Sequence, residues 1–127
     1  MSEIKFSKSH EWVKKDGDVC IIGITQHAVD ELGDVVFVEL PGIGKAIAKS
    51  ASFGVVESVK AVSDLISPVN GSISAINETL KSSPEMVNQS PYEKGWMIKV
   101  TGVTDSDLND LLSENDYNEF VSKEAGA

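Results

Sequence analysis

Lys60 is the residue whose placement is best suited to chemistry. It is the only lysine between Ser50 and Leu80, within Phe53-Gly54-Val55-Val56-Glu57-Ser58-Val59-Lys60-Ala61-Val62-Ser63-Asp64. The flanking residues are rich in β-branched side chains and read as short strands, so the lysine falls where a hairpin turns. An amine at such a turn has maximum reach, which suits a prosthetic group that swings between partners. The ordinary reading of a turn lysine is a solvated charge, and the rest of the chain must decide between the two.

Other reactive types offer less. The single Cys20 sits in the apolar run Asp18-Val19-Cys20-Ile21-Ile22 and reads as a small buried hydrophobe. A catalytic thiol would need an electropositive, partly exposed setting, which its neighbours do not supply. His10 and His27 are the only histidines and no second cysteine exists, so a zinc site is not expected and both rings are expected to be packed or at the surface. Trp12, Phe37 and Trp96 are expected in or near the core.

Charge narrows the partners. The 127 residues carry a formal charge of −9, and all eleven cations are lysine. Without arginine, the fork that grips phosphates and base edges is missing, so nucleic acid is not an expected partner. Anionic membrane surfaces would repel such a chain. No stretch approaches the roughly 18 apolar residues of a membrane span. Met1-Ser2-Glu3-Ile4-Lys5-Phe6 lacks the pattern of a signal peptide, so a cytoplasmic location is expected, or the mitochondrial matrix after removal of a transit peptide.

The elements that must position Lys60 are mostly β. Phe6 to Val13 reads as a strand, Asp16-Gly17 as a turn, and Val19 to Ile24 as its hairpin partner. Thr25 is an N-cap for a helix over Gln26 to Leu32, with Gly33 at its C-terminal end. Val35 to Leu40 reads as a continuous apolar strand stopped by Pro41-Gly42. Weak strand character at Ala46 to Ala48 precedes the strands on either side of Lys60. Asn70-Gly71 is a tight-hairpin dipeptide. In Ser72 to Ile76, alternation puts Ile73 and Ala75 on one face. Ser83 is an expected N-cap before a turn of helix over Met86 to Ser90. Gly95 to Val100 is the last strand, with Trp96, Ile98 and Val100 on one face. Capping boxes at Thr104 and Ser113 start two C-terminal helices, about residues 105–122, and Lys123 to Ala127 are expected to fray. The expectation is one domain over residues 1–127, with a β core of seven to nine short strands over about residues 4–101, closed as a small sandwich or flattened barrel.

Six strings recur in register with a known family. They are Ser9-His10-Glu11-Trp12-Val13, Gly23-Ile24-Thr25-Gln26-His27-Ala28, Leu32 to Pro41, Glu57-Ser58-Val59-Lys60-Ala61, Asn88-Gln89-Ser90-Pro91-Tyr92 and Gly95-Trp96-Met97-Ile98-Lys99. Together they resemble the H-protein family of the glycine cleavage system, from about Phe6 to Phe120. The resemblance implies a lipoyl-domain-like barrel-sandwich hybrid and lipoate held in amide linkage on Lys60, as an N6-lipoyllysine. It implies a carrier rather than an enzyme. The partners implied are a pyridoxal-phosphate glycine decarboxylase, a tetrahydrofolate-dependent aminomethyltransferase and a flavin dihydrolipoyl dehydrogenase. A lipoate-protein ligase, or an octanoyltransferase with lipoyl synthase, would install the group. Two departures concern loops: Gln26 stands where an acidic residue is common, and the stretch Gly44 to Ser52 lacks the usual second glycine.

The implied cargo, an aminomethyl group on sulfur, is open to hydrolysis, so a cleft that shelters the loaded arm is expected. Such a cleft needs an apolar bed and an acceptor for an ammonium. Glu11 is the first candidate acceptor, supported by Ser9, with Asp64 near the root of the arm. Each carboxylate also has a plain reading, as a strand or turn charge. Glu57, Ser58, Val59, Ala61 and Val62 frame the lysine and form the expected recognition surface for the lipoylating enzyme. Alternative roles for the same lysine are a relay that donates lipoyl groups to other complexes, a carrier domain of a 2-oxo-acid dehydrogenase or biotin enzyme, or an unmodified binding module.

Overall fold

The computed structural model describes residues 4–126. The leader reading of Met1 to Glu3 and the frayed end at Ala127 lie outside the described residues. The strands are β1 (Ile4–Phe6), β2 (Glu11–Asp16), β3 (Val19–Ile24), β4 (Val35–Glu39), β5 (Ala46–Ile47), β6 (Ser52–Ser58), β7 (Val62–Ile66), β8 (Gly71–Ile76) and β9 (Ile98–Thr101). The helices are α1 (Gln26–Leu32), α2 (Thr79–Ser82), α3 (Met86–Gln89), α4 (Asp105–Asn109) and α5 (Glu114–Gly126). One sheet has the order β1-β2-β3-β9-β8-β5 and the other β4-β6-β7, all pairs antiparallel. The two open sheets enclose one core as a flattened barrel-sandwich, with Ile22, Ile73, Ile98 and Val100 from the larger sheet facing Val38, Val56 and Leu65 from the smaller.

Local chemistry explains the legible elements. The Thr25 hydroxyl accepts from Ala28 N and starts α1, and Gly33 ends it at φ 77°, a conformation that costs a side-chain-bearing residue roughly 1–2 kcal/mol. Thr104 and Ser113 accept from Asp107 N and Asp116 N and start α4 and α5. The Asp107 carboxylate does not reach back to close the box; it accepts from Asn70 N and Nδ2 instead.

Several expectations are corrected. The first strand is broken by a turn at residues 7–10, where His10 takes φ 73° and donates its N–H to Ser7 O. Asn70-Gly71 does not close a hairpin, because β7 and β8 lie in different sheets and the dipeptide carries the crossing. A bulge between Ile73 and Ala75 turns Ile76 to the core side opposite Ile98, against the simple alternation. Ser83 caps nothing with its side chain, and Glu85 occupies the N-cap of α3. Trp96 precedes β9 and packs with Trp12 and Tyr92 in a second cluster, apart from Ile98 and Val100. Phe37 is 49% exposed rather than core. Lys123 and Glu124 continue α5 as helix. In the stretch Gly44 to Ser52, Ser50 adopts φ 72°, in the left-handed region that favours glycine.

Candidate functional site

Lys60 sits at the tip between β6 and β7, exposed, and makes no ion pair with any described residue. Its turn is fastened from below by Ser58. That buried hydroxyl accepts from Lys60 N at 3.3 Å and Ala61 N at 3.1 Å, and Ser58 N donates to Ala61 O at 2.8 Å. Of the residues grouped as a recognition surface, Ser58 is therefore internal to the turn. Val59 and Val62 are 70% and 69% exposed, and Ala61 is exposed too, while Glu57 is half-buried.

A second element buttresses the same turn. Val59 N donates to Asp34 O at 3.0 Å, tying the tip to the loop between α1 and β4. Asn88 on α3 clamps that loop from both sides: its Nδ2 donates to Gly33 O at 2.7 Å and its Oδ1 accepts from Val35 N at 2.8 Å. A Cβ at Gly33 would stand 3.5 Å from Lys60 Cε, so the lysine stem crosses this loop. Sequence inspection missed the role of Asn88, because its partners lie more than fifty residues away.

Beside the tip opens a cleft of about 350 Å³. Ile24, Leu32, Val56 and Leu65 give it an apolar bed, Ala61 and Val62 bring the lysine turn to its edge, and Ser9, Glu31 and Asp64 supply polar groups. Ser9 and Asp64 were expected here; Glu31 was not singled out, although its place one turn after His27 on α1 puts both on one helix face. Glu11 does not line the cleft. It is 2% exposed, and its carboxylate accepts from Ser9 Oγ, from Ser7 Oγ at 2.8 Å and from Ile66 N at 3.3 Å. Burial pushes its pKa up to about 7, with the Ser9, Ser7 and Ile66 donors opposing that rise. Glu11 is thus a stitch from β2 to β7, between the two sheets.

His10 also lines the cleft and meets His27, with ring centroids 4.6 Å apart. His10 Nδ1 is 2.7 Å from Tyr117 Oη, which is 2.7 Å from Thr25 Oγ1. Cys20 is buried, and burial raises its thiol pKa, in keeping with a packing role. No helix among the described residues is long and apolar enough to cross a membrane.

Comparison with known proteins places this arrangement. The family model described as glycine cleavage H-protein matches residues 4–124. A glycine cleavage system H protein of Staphylococcus carnosus is 57% identical over 121 residues, spanning 95% of this chain and 96% of that protein. A mitochondrial glycine cleavage system H protein of Flaveria trinervia is 50% identical over 98% of this chain and 75% of that protein. The crystal structure of a glycine cleavage system H protein from Mycobacterium marinum superposes with a TM-score of 0.83 at 33% identity, covering 97% of each chain. An exposed lysine on a braced hairpin, a cleft at its foot and family likeness over nearly the full length agree, and the chain belongs to the glycine cleavage H-protein family.

Proposed function

We propose that this protein is the lipoyl-bearing shuttle of a glycine cleavage system, a carrier and not an enzyme, acting as one domain. It takes the aminomethyl group of glycine from the decarboxylase to the aminomethyltransferase and hands electrons to dihydrolipoyl dehydrogenase. The compartment is the cytoplasm, or the matrix in a mitochondrial setting, where a ligase or an octanoyltransferase with lipoyl synthase installs the group. The observation that carries this reading is the exposed Lys60 on a turn fastened by Ser58 and Asp34, with its stem over Gly33 and a cleft at its edge.

Lipoate, when attached, supplies a cyclic disulfide that accepts electrons and a one-carbon amine. The residues of this chain do the rest. The turn presents Nζ of Lys60 to the modifying enzyme in one geometry, and the exposed Val59 and Val62 are the apolar contacts beside it. Ile24, Leu32, Val56 and Leu65 offer a bed for an alkyl chain and exclude water from it. Asp64 is the accessible acceptor for an ammonium at the polar rim. Glu11 acts at one remove, holding Ser9 at the cleft edge through their hydrogen bond. A tethered carrier also raises the effective concentration of cargo at each docked partner.

Intact-mass measurement on protein coexpressed with a lipoate ligase tests the reading. The wild-type chain gains one lipoyl adduct on Lys60. K60A combined with V59K or with A61K gains none, while far-UV circular dichroism stays unchanged. An unmodified wild-type chain, or an adduct on either displaced lysine, would overturn it.

A further inference from the structure

Four side chains from three segments converge at one wall of the cleft. His10 comes from the β1–β2 turn, His27 and Glu31 from α1, and Glu124 from the last turns of α5, and one potential ligand atom from each lies within 4.8 Å of all the others. His27 Nε2 stands 3.0 Å from Glu31 Oε1 and 3.9 Å from Glu124 Oε1, and His10 Nε2 stands 3.4 Å from Glu124 Oε1. A tetrahedral ion with bonds of about 2.0–2.1 Å keeps neighbouring N and O ligands roughly 3.3 Å apart, so these spacings need only small side-chain rotations.

Two further observations point to a ligand. His27 Nε2 is buried without a hydrogen-bond partner, because the close Glu31 oxygen lies out of alignment. A buried polar atom in that state is unusual. His10 has its other nitrogen bound to Tyr117 Oη, which in turn meets Thr25 Oγ1. When His10 Nδ1–H donates to Tyr117 and Tyr117 donates to Thr25, Nε2 is left as a lone pair aimed at the cluster. This is the outer-shell arrangement that orients imidazole ligands of metals. The backbone of His10 is held at φ 73°, an unfavourable conformation for a side-chain-bearing residue, with His10 O accepting from Thr25 N at 3.0 Å.

We propose that His10, His27, Glu31 and Glu124 form a site for a divalent transition ion of the zinc class. Two imidazoles with two carboxylates favour such an ion over magnesium or calcium, which prefer oxygen alone. The ion would pin the end of α5 to α1 and to the turn that carries Ser9, the two segments that wall the cleft through His10 and Glu31.

The test uses the unlipoylated full chain, stripped with chelator and titrated by calorimetry with Zn2+ and by visible absorption with Co2+. One ion per chain binds, and Mg2+ gives no heat. E124Q and H27Q each weaken Zn2+ binding by about tenfold or more. E119Q, at an exposed carboxylate on the same helix, binds as wild type. Glu124 is half-exposed, so E124Q keeps the fold, and circular dichroism checks both variants. Absence of one-to-one binding to the wild type, or wild-type affinity in either E124Q or H27Q, overturns the site.

Discussion

Replacing Glu11 by glutamine should change the pH dependence of stability more than stability itself. The folded carboxyl has its pKa raised from 4.5 to about 7 by burial. The sign follows from linkage. Below the unfolded pKa the group is protonated in both states and imposes no penalty. As pH rises, the unfolded chain ionises first, so stability falls until the folded carboxyl itself ionises near pH 7. Above that the loss is complete and constant. At about 1.36 kcal/mol per unit, the full loss is about 3 kcal/mol. Roughly 2 kcal/mol of it lies between about pH 5.5 and about pH 8.5, since the first part has been lost at the lower value.

Glutamine keeps the shape and does not titrate; its carbonyl oxygen in the Oε1 position keeps the Ser7 and Ser9 bonds and gives up the one from Ile66 N, a loss that is the same at both pH values and cancels in the comparison. The assay is urea unfolding of wild type and E11Q at both pH values. The difference between the two proteins should shift by about 2 kcal/mol in favour of glutamine on going to the higher pH. Taking the difference of differences removes every group the two proteins share. A shift near zero would refute the reasoning, since Glu11 would then ionise as easily folded as unfolded. A shift of opposite sign would mean that the three donors outweigh burial.

Two further substitutions probe the frame around Lys60. N88A leaves Val35 N and Gly33 O without their partner and should cost about 2–3 kcal/mol in denaturant unfolding. G54A puts a Cβ 2.3 Å from Glu39 O in the paired strand, so β4 and β6 must separate; a loss of about 3 kcal/mol is expected, read as a lower thermal midpoint.

What was legible in the sequence was local. The hairpin around Lys60, the Thr25, Thr104 and Ser113 caps and the stop at Gly33 each depend on a few adjacent residues, and the structure has them all. What was not legible depends on partners far along the chain. Glu11 has the same type and spacing whether it faces solvent or Ile66, and only the packing of β2 under β7 buries it. The bulge in β8 shifts Ile76 by one position, and period-two reasoning cannot foresee a residue dropped from the count. Helix α2 has no side-chain cap and spans four residues, so it leaves little periodic signal. The convergence of His10 and His27 with Glu31 and Glu124 leaves no local trace, because the two carboxylates come from α1 and, nearly a hundred residues later, from α5.

The arrangement separates bracing from presentation. Ser58, Asn88 and Glu11 are polar residues in or near strings that look chemical, yet each is used inward, on backbone groups or hydroxyls that would otherwise go unpaired. For the shuttle role proposed above, the groups available to a visiting partner or a docked arm would be the outward ones: Lys60, Val59, Val62 and Asp64. A swinging group needs this division. If the turn itself moved, a modifying enzyme could not distinguish one of eleven lysines by position. If the lysine were also held, its cargo could not travel. Stiffness therefore ends at the backbone of Lys60, and freedom begins with its side chain, which crosses a glycine where any larger residue would meet Cε.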